Sequence, residues 1–105
     1  MIENKMRPVH PGEILKEEFM QPYGMSSNYL AQLLEVPPNR ISSILREKRS
    51  LTADTALRLS SLFGTTPQFW LGLQRTYDLK MAQNAIDPNS LKTIQDHQKN
   101  LSKRP

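Results

Sequence analysis

Between Ser26 and Arg49 the chain holds two short amphipathic segments split by Pro37 and Pro38, and no other stretch limits the possible folds so tightly. Successive prolines would break a helix running through them. They are harmless at a helix threshold, where amide hydrogens have no intrahelical partner. Before them Leu30, Leu33 and Leu34 recur at i, i+3, i+4, and after them Ile41, Ile44 and Leu45 repeat the spacing. Each segment is therefore expected to be a helix with one narrow apolar face. Small Ala31 falls where the two would cross, and Val36 can plug the corner between them. The expected arrangement is a helix-turn-helix over about residues 26–47. The outward side of its second helix carries Asn39, Arg40, Ser42, Ser43 and Arg46, all hydrogen-bonding and none acidic. Such a face suits base edges and phosphates.

The rest of the chain narrows the class. A length of 105 residues is one domain's worth, with a modest core. The absence of cysteine excludes disulfides and thiolate metal sites. No apolar run is long enough to cross a bilayer, and the opening MIENKMRPVH lacks the apolar centre of a signal peptide, so a cytoplasmic protein is expected. The net charge of +4 is concentrated: residues 38–49 hold Arg40, Arg46, Lys48 and Arg49 against Glu47 alone. A basic cluster by itself is often only a solvated face, but this one coincides with the proposed reading helix. His10 and His97 are remote in sequence and read as surface or capping residues, and Glu13 with Glu17 as a solvated helix face. No nucleophile with a nearby base, phosphate loop or metal-binding helix is present, so neither catalysis nor a metal or other cofactor is expected.

Along the chain, residues 1–10 read as an N-terminal arm, 11–86 as the domain and 87–105 as a basic, partly flexible tail. Pro11 at a first helical position, followed by carboxylates, opens helix one, whose buried edge is Ile14, Leu15 and Phe19 and which should stop near Gln21, before Pro22. Ser26 or Ser27 caps helix two. Ser50 or Thr52 caps a fourth helix that turns Ala56, Leu57, Leu59 and Phe63 inward and ends at Gly64. Thr66 and Pro67 open a long fifth helix with Trp70, Leu73, Tyr77 and Met81 along one stripe. Beyond it, Leu91 and Ile94 form at most a short helix capped by Asp87 or Ser90, or fold only against a partner.

The segments RPVHPGEILKEEFMQPYGMS and LTADTALRLSSLFGTTPQFWLGLQRTYDL, with the helix-turn-helix between them, resemble the HigA-type (VapI-like) antitoxins of the Xre/Cro helix-turn-helix family over roughly residues 7–82. The resemblance implies an all-α, five-helix, lambda-repressor-like DNA-binding domain with a C-terminal extension. It also implies an antitoxin that binds a small HigB-type, RelE-like toxin cleaving messenger RNA and that represses its own operon as a dimer. The alternatives are an Xre-family regulator without a toxin, and an interaction module that has lost DNA affinity. The chain departs from the family pattern at three places. Glu35 stands where a glycine usually turns the corner, Arg46–Glu47 replaces Asn-Gly after the reading helix, and Pro37–Pro38 replaces Ser-Arg.

A helix-turn-helix lays the first residues of its second helix over base edges. Asn39 and Ser43 are accordingly expected to read bases, with Pro38 as a shape contact. Ser26, Ser27 and Asn28, at the start of helix two, are expected at a phosphate. Arg40, Arg46, Lys48 and Arg49 are expected to neutralise phosphates on double-stranded operator DNA, with Arg40 or Arg46 reaching guanine. One such unit covers one half-site, so a homodimer is expected, with Tyr77, Met81, Leu91 and Ile94 as its dimer or toxin surface.

Overall fold

A computed structural model describes residues 7–102. Residues 1–6 of the expected arm and 103–105 of the expected tail lie outside the described residues. The described chain is helical, without a strand. Helix α1 begins at Pro11–Ile14, widens without a break into an i→i−5 turn over Leu15–Met20, and tightens into a 3₁₀ turn over Gln21–Tyr23. Then follow α2 (Ser27–Leu34), α3 (Pro38–Leu45), α4 (Ala53–Phe63), α5 (Pro67–Ala85), α6 (Pro88–Asp96) and α7 (Gln98–Ser102). Helical structure thus runs past the expected stop at Gln21: Pro22 sits in the opening turn of the 3₁₀ segment, where it has no amide hydrogen to lose, and Gly24 at φ 60° ends it.

One core joins the first five helices. Leu15, Leu30, Ala31, Ile41, Ile44, Leu59 and Trp70 are fully enclosed within it. The Trp70 indole N–H donates to Thr65 Oγ1 at 2.7 Å, which satisfies the buried ring's one polar group. Two leucines expected inside point out: Leu33 is 40% exposed and Leu57 58%. The seam of α2 is Leu30, Ala31 and Leu34, a stripe narrower than the leucine count suggested, and Leu33 with Leu57 instead rims a shallow groove between α2 and α4.

Both non-glycine corners adopt the geometry that glycine would. Glu35 has φ 59°, with its own N–H donating to the Gln32 carbonyl and Val36 N–H to that of Ala31. Glu47 has φ 62°, and here Glu47 N–H meets the Ile44 carbonyl and Lys48 N–H that of Ser43. These paired bonds cap the last carbonyls of α2 and α3 as a glycine cap would. Helix α3 therefore keeps a defined end despite lacking a glycine, at a cost of ~1 kcal/mol or more for each left-handed glutamate.

From Met81 to Leu101 every residue is exposed, and α6 and α7 stand off the body. The radius of gyration, 18.3 Å, accordingly exceeds the ~13 Å of a compact chain this long.

Candidate nucleic-acid interface

The interface is built on α3. Ile41 and Ile44 seat it in the core, Pro37 enters at ψ 142° and Pro38 takes the first helical position. With its apolar side fixed, the helix turns Pro38, Asn39 and Arg46 to solvent, with Arg40, Ser42 and Ser43 half-buried beside them. The Asn39 side-chain amide, at the helix's opening turn, has no hydrogen-bond partner among the described residues.

Helix α2 begins alongside. Ser26 is its cap: the hydroxyl oxygen accepts from Tyr29 N–H at 3.1 Å, which leaves its proton to donate elsewhere. Asn28 is exposed, whereas the Ser27 hydroxyl oxygen is shielded and unpartnered among the described residues.

The four expected cations divide into two kinds. Arg46, Lys48 and Arg49 are exposed, and among the described residues none has a side-chain hydrogen bond or ion pair. Arg40 is different, because its Nη1 lies 2.5 Å from the Asp54 carboxylate of α4, which also accepts from Arg58 Nε at 3.0 Å. Both guanidiniums hold the Asp54 carboxyl below the usual carboxylate range, the hydrogen bond from Arg58 contributing most. Arg7 does the same for Glu13 through two bonds of 2.9 and 3.0 Å, so Glu13 is not simply a solvated charge.

The basic loop after α3 is pinned from below. Leu51 inserts into the core, and its N–H donates to Gln74 Oε1 of α5 at 2.7 Å, while Gln74 Nε2 donates to Asp78 at 2.9 Å. His10 acts from the other side. It is buried, accepts the Gly12 N–H on Nδ1 at 2.9 Å to cap α1, and lies close to the Arg49 backbone. The capping reading of His10 is thus the observed one, and its ring also meets Tyr77 edge-on with centroids 4.8 Å apart.

Burial holds the His10 imidazole below its ordinary pKa, outweighing the Glu47 and Asp78 charges and the Arg49 backbone, which act the other way. The unfolded chain therefore takes up this proton first. Its contribution to stability is complete above about pH 6.5 and declines as pH falls through that value. Urea midpoints at about pH 7.5 and about pH 5.5 should show this loss, and His10→Asn, whose side-chain oxygen caps without titrating, should flatten it.

Of the expected dimer or toxin residues, Tyr77 is half-buried against His10, and Met81, Leu91 and Ile94 are exposed on α5 and α6. Asp87 caps α6, its Oδ1 accepting from Asn89 N–H at 2.9 Å. Among the described residues no helix is long and apolar enough to cross a membrane, and no group of side chains is arranged to hold a metal ion. Reasoning from sequence missed Asp54 and Arg58 as neighbours of the reading face. Asp54 was legible only as a first-turn carboxylate suited to the helix dipole.

Comparison with known proteins agrees with this geometry. The helix-turn-helix family model matches residues 16–70. Virulence-associated protein I of Dichelobacter nodosus is 51% identical over 92 residues, covering 88% of this chain and 83% of the relative. The structure of an addiction module antidote protein of the HigA family from Coxiella burnetii superposes with a TM-score of 0.74 at 54% identity, covering 86% of this chain and 94% of that one. A Pseudomonas aeruginosa protein in complex with its operator DNA gives a TM-score of 0.77 at 43% identity, over 80% of this chain and 90% of that one. This family consists of DNA-binding regulators and not enzymes. An acid-free outward face on α3, the five-helix body beneath it and these relatives agree: the chain belongs to the Xre/Cro-type helix-turn-helix family, in its HigA-type, VapI-like antitoxin branch.

Proposed function

We propose that this DNA-binding, HigA-like protein represses its own operon as a symmetric dimer in the cytoplasm and neutralises a cognate HigB-type, RelE-like toxin. The observation that carries the DNA half is the acid-free outward side of α3, with Asn39 exposed at its opening turn and Arg46, Lys48 and Arg49 exposed at and beyond its end, none of them with a side-chain hydrogen bond or ion pair among the described residues. Asn39 and Ser43 read base edges in the major groove and Pro38 makes a shape contact. Ser26 and Asn28 meet one phosphate at the start of α2, where Ser27 offers its backbone N–H because its hydroxyl oxygen is shielded, and Arg46, Lys48 and Arg49 neutralise others. Arg40 joins them only if it leaves Asp54.

Twofold symmetry follows from binding strength. A single half-site engages one reading helix and few charges, whereas two copies spaced by a helical turn of DNA engage both halves of a palindrome. Support for the dimer or toxin surface comes from Met81, Leu91 and Ile94, apolar and uncovered on the projecting C-terminal helices, with Tyr77 at their base. The toxin half rests on the relatives, one of which is described as an addiction module antidote protein.

Co-expression with the product of a small reading frame found beside the gene tests the toxin half. The two products should co-purify, and this chain should restore growth during toxin expression. Absence of both would leave an Xre-family regulator without a toxin partner.

A further inference from the structure

We propose that Asp54 is a specificity-determining residue of the DNA-reading face, acting as a latch that withholds Arg40 from indiscriminate phosphate contact. The inference rests on α3 being the reading helix, as proposed above.

Arg58 is the anchor of the latch. Its Nη1 donates to the Leu34 carbonyl at 2.8 Å and to the Glu35 carbonyl at 3.4 Å, at the capped end of α2. Its Nε fixes Asp54 Oδ2 at 3.0 Å, and that same oxygen receives Arg40 Nη1 at 2.5 Å. Arg58 is thus occupied by helix-end carbonyls as well as by the carboxylate, and what Asp54 restrains is Arg40. The Arg40 side chain is 29% exposed, drawn toward the opening turn of α4, although its backbone lies directly after Asn39.

The placement carries a cost that calls for a function. A carboxylate beside a phosphate-binding surface weakens every DNA complex. Released, Arg40 would add one phosphate contact available on any sequence, or a guanine contact next to Asn39. Restrained, it leaves discrimination to Asn39 and Ser43. Asp54, held below the usual carboxylate range, stays charged wherever DNA binding is measured.

The test compares wild type, Asp54→Asn and Arg40→Ala/Asp54→Asn on two labelled duplexes, one carrying the gene's own upstream sequence and one a scramble of it, across a salt series. Asp54→Asn should bind the scramble severalfold more tightly and lower the upstream-to-scramble ratio. The slope of log affinity against log salt should steepen by up to ~0.9 per protomer. The double variant has the same net charge as wild type and should return both quantities to wild-type values. An unchanged slope and ratio in Asp54→Asn would overturn the latch, as would a gain that persists in the double variant. Wild type failing to prefer its upstream duplex would overturn the reading face and the latch together. Asp54→Ser, which suits a helix's opening turn, provides the same comparison if Asp54→Asn loosens the fold.

Discussion

Gly12→Ala is expected to destabilise the protein by about 3 kcal/mol, at the upper end for overpacking, and to displace α3. A Cβ on Gly12 would overlap the Ile44 carbonyl oxygen of α3, and it would lie 2.9 Å from the Ile44 carbonyl carbon and 3.2 Å from His10 Nδ1. The obstacle is backbone. It cannot swing aside as a side chain would, and the same carbonyl accepts the Glu47 N–H at 2.9 Å in the cap of α3. Relief therefore requires α1 and α3 to separate, which opens the core at Leu15 and Ile44 together. Gly72→Ala is the control: it lies inside α5, and its nearest neighbour is the tip of Arg75 at 3.9 Å. There alanine should stabilise by ~0.5 to 1 kcal/mol through helix propensity. Urea denaturation of both variants checks the contrast, and equal effects would contradict it.

Asn39→Ala with Arg46→Ala is expected to lower affinity for the upstream DNA by roughly 100-fold or more while leaving the fold intact. A bidentate asparagine–adenine contact is worth ~1 to 3 kcal/mol of discrimination, and a twofold dimer loses it at both half-sites. Loss of Arg46 removes a phosphate contact and should reduce the salt slope by ~0.9 per protomer. Both side chains are exposed, so the melting transition should move little. Competition titrations against a scrambled duplex separate the two contributions: Asn39 should change the preference between duplexes, Arg46 the affinity for both.

The parts of this fold that were legible are those decided locally. Pro11, Ser26, Thr66 and Gly64 mark helix ends by chemistry confined to one turn, and each does so in the structure. At the Glu35 corner the residue type left two outcomes, a left-handed backbone or a slightly opened corner, and the structure shows the first. Spacing alone misled at Leu33 and Leu57. Apolar periodicity identifies a face, but how much of that face is covered depends on which helices arrive against it, and α2 and α4 leave a groove between them. Gly12 was visible as a residue near a helix start, while its purpose depends on α3 crossing α1 within a methyl's radius. The Arg40–Asp54–Arg58 cluster was invisible for the same reason: 14 residues separate Arg40 from Asp54, and only the packed corner brings them together.

Hydroxyl-radical footprinting on the gene's own upstream region, with wild type and Asn39→Ala/Arg46→Ala, tests most directly whether the opening turn of α3 reads operator DNA. Wild type should protect two symmetric half-sites with centres about one helical turn, ~34 Å, apart, and the double variant should protect neither at the same concentration. Protection that is absent with wild type, or undiminished in the double variant, would contradict it.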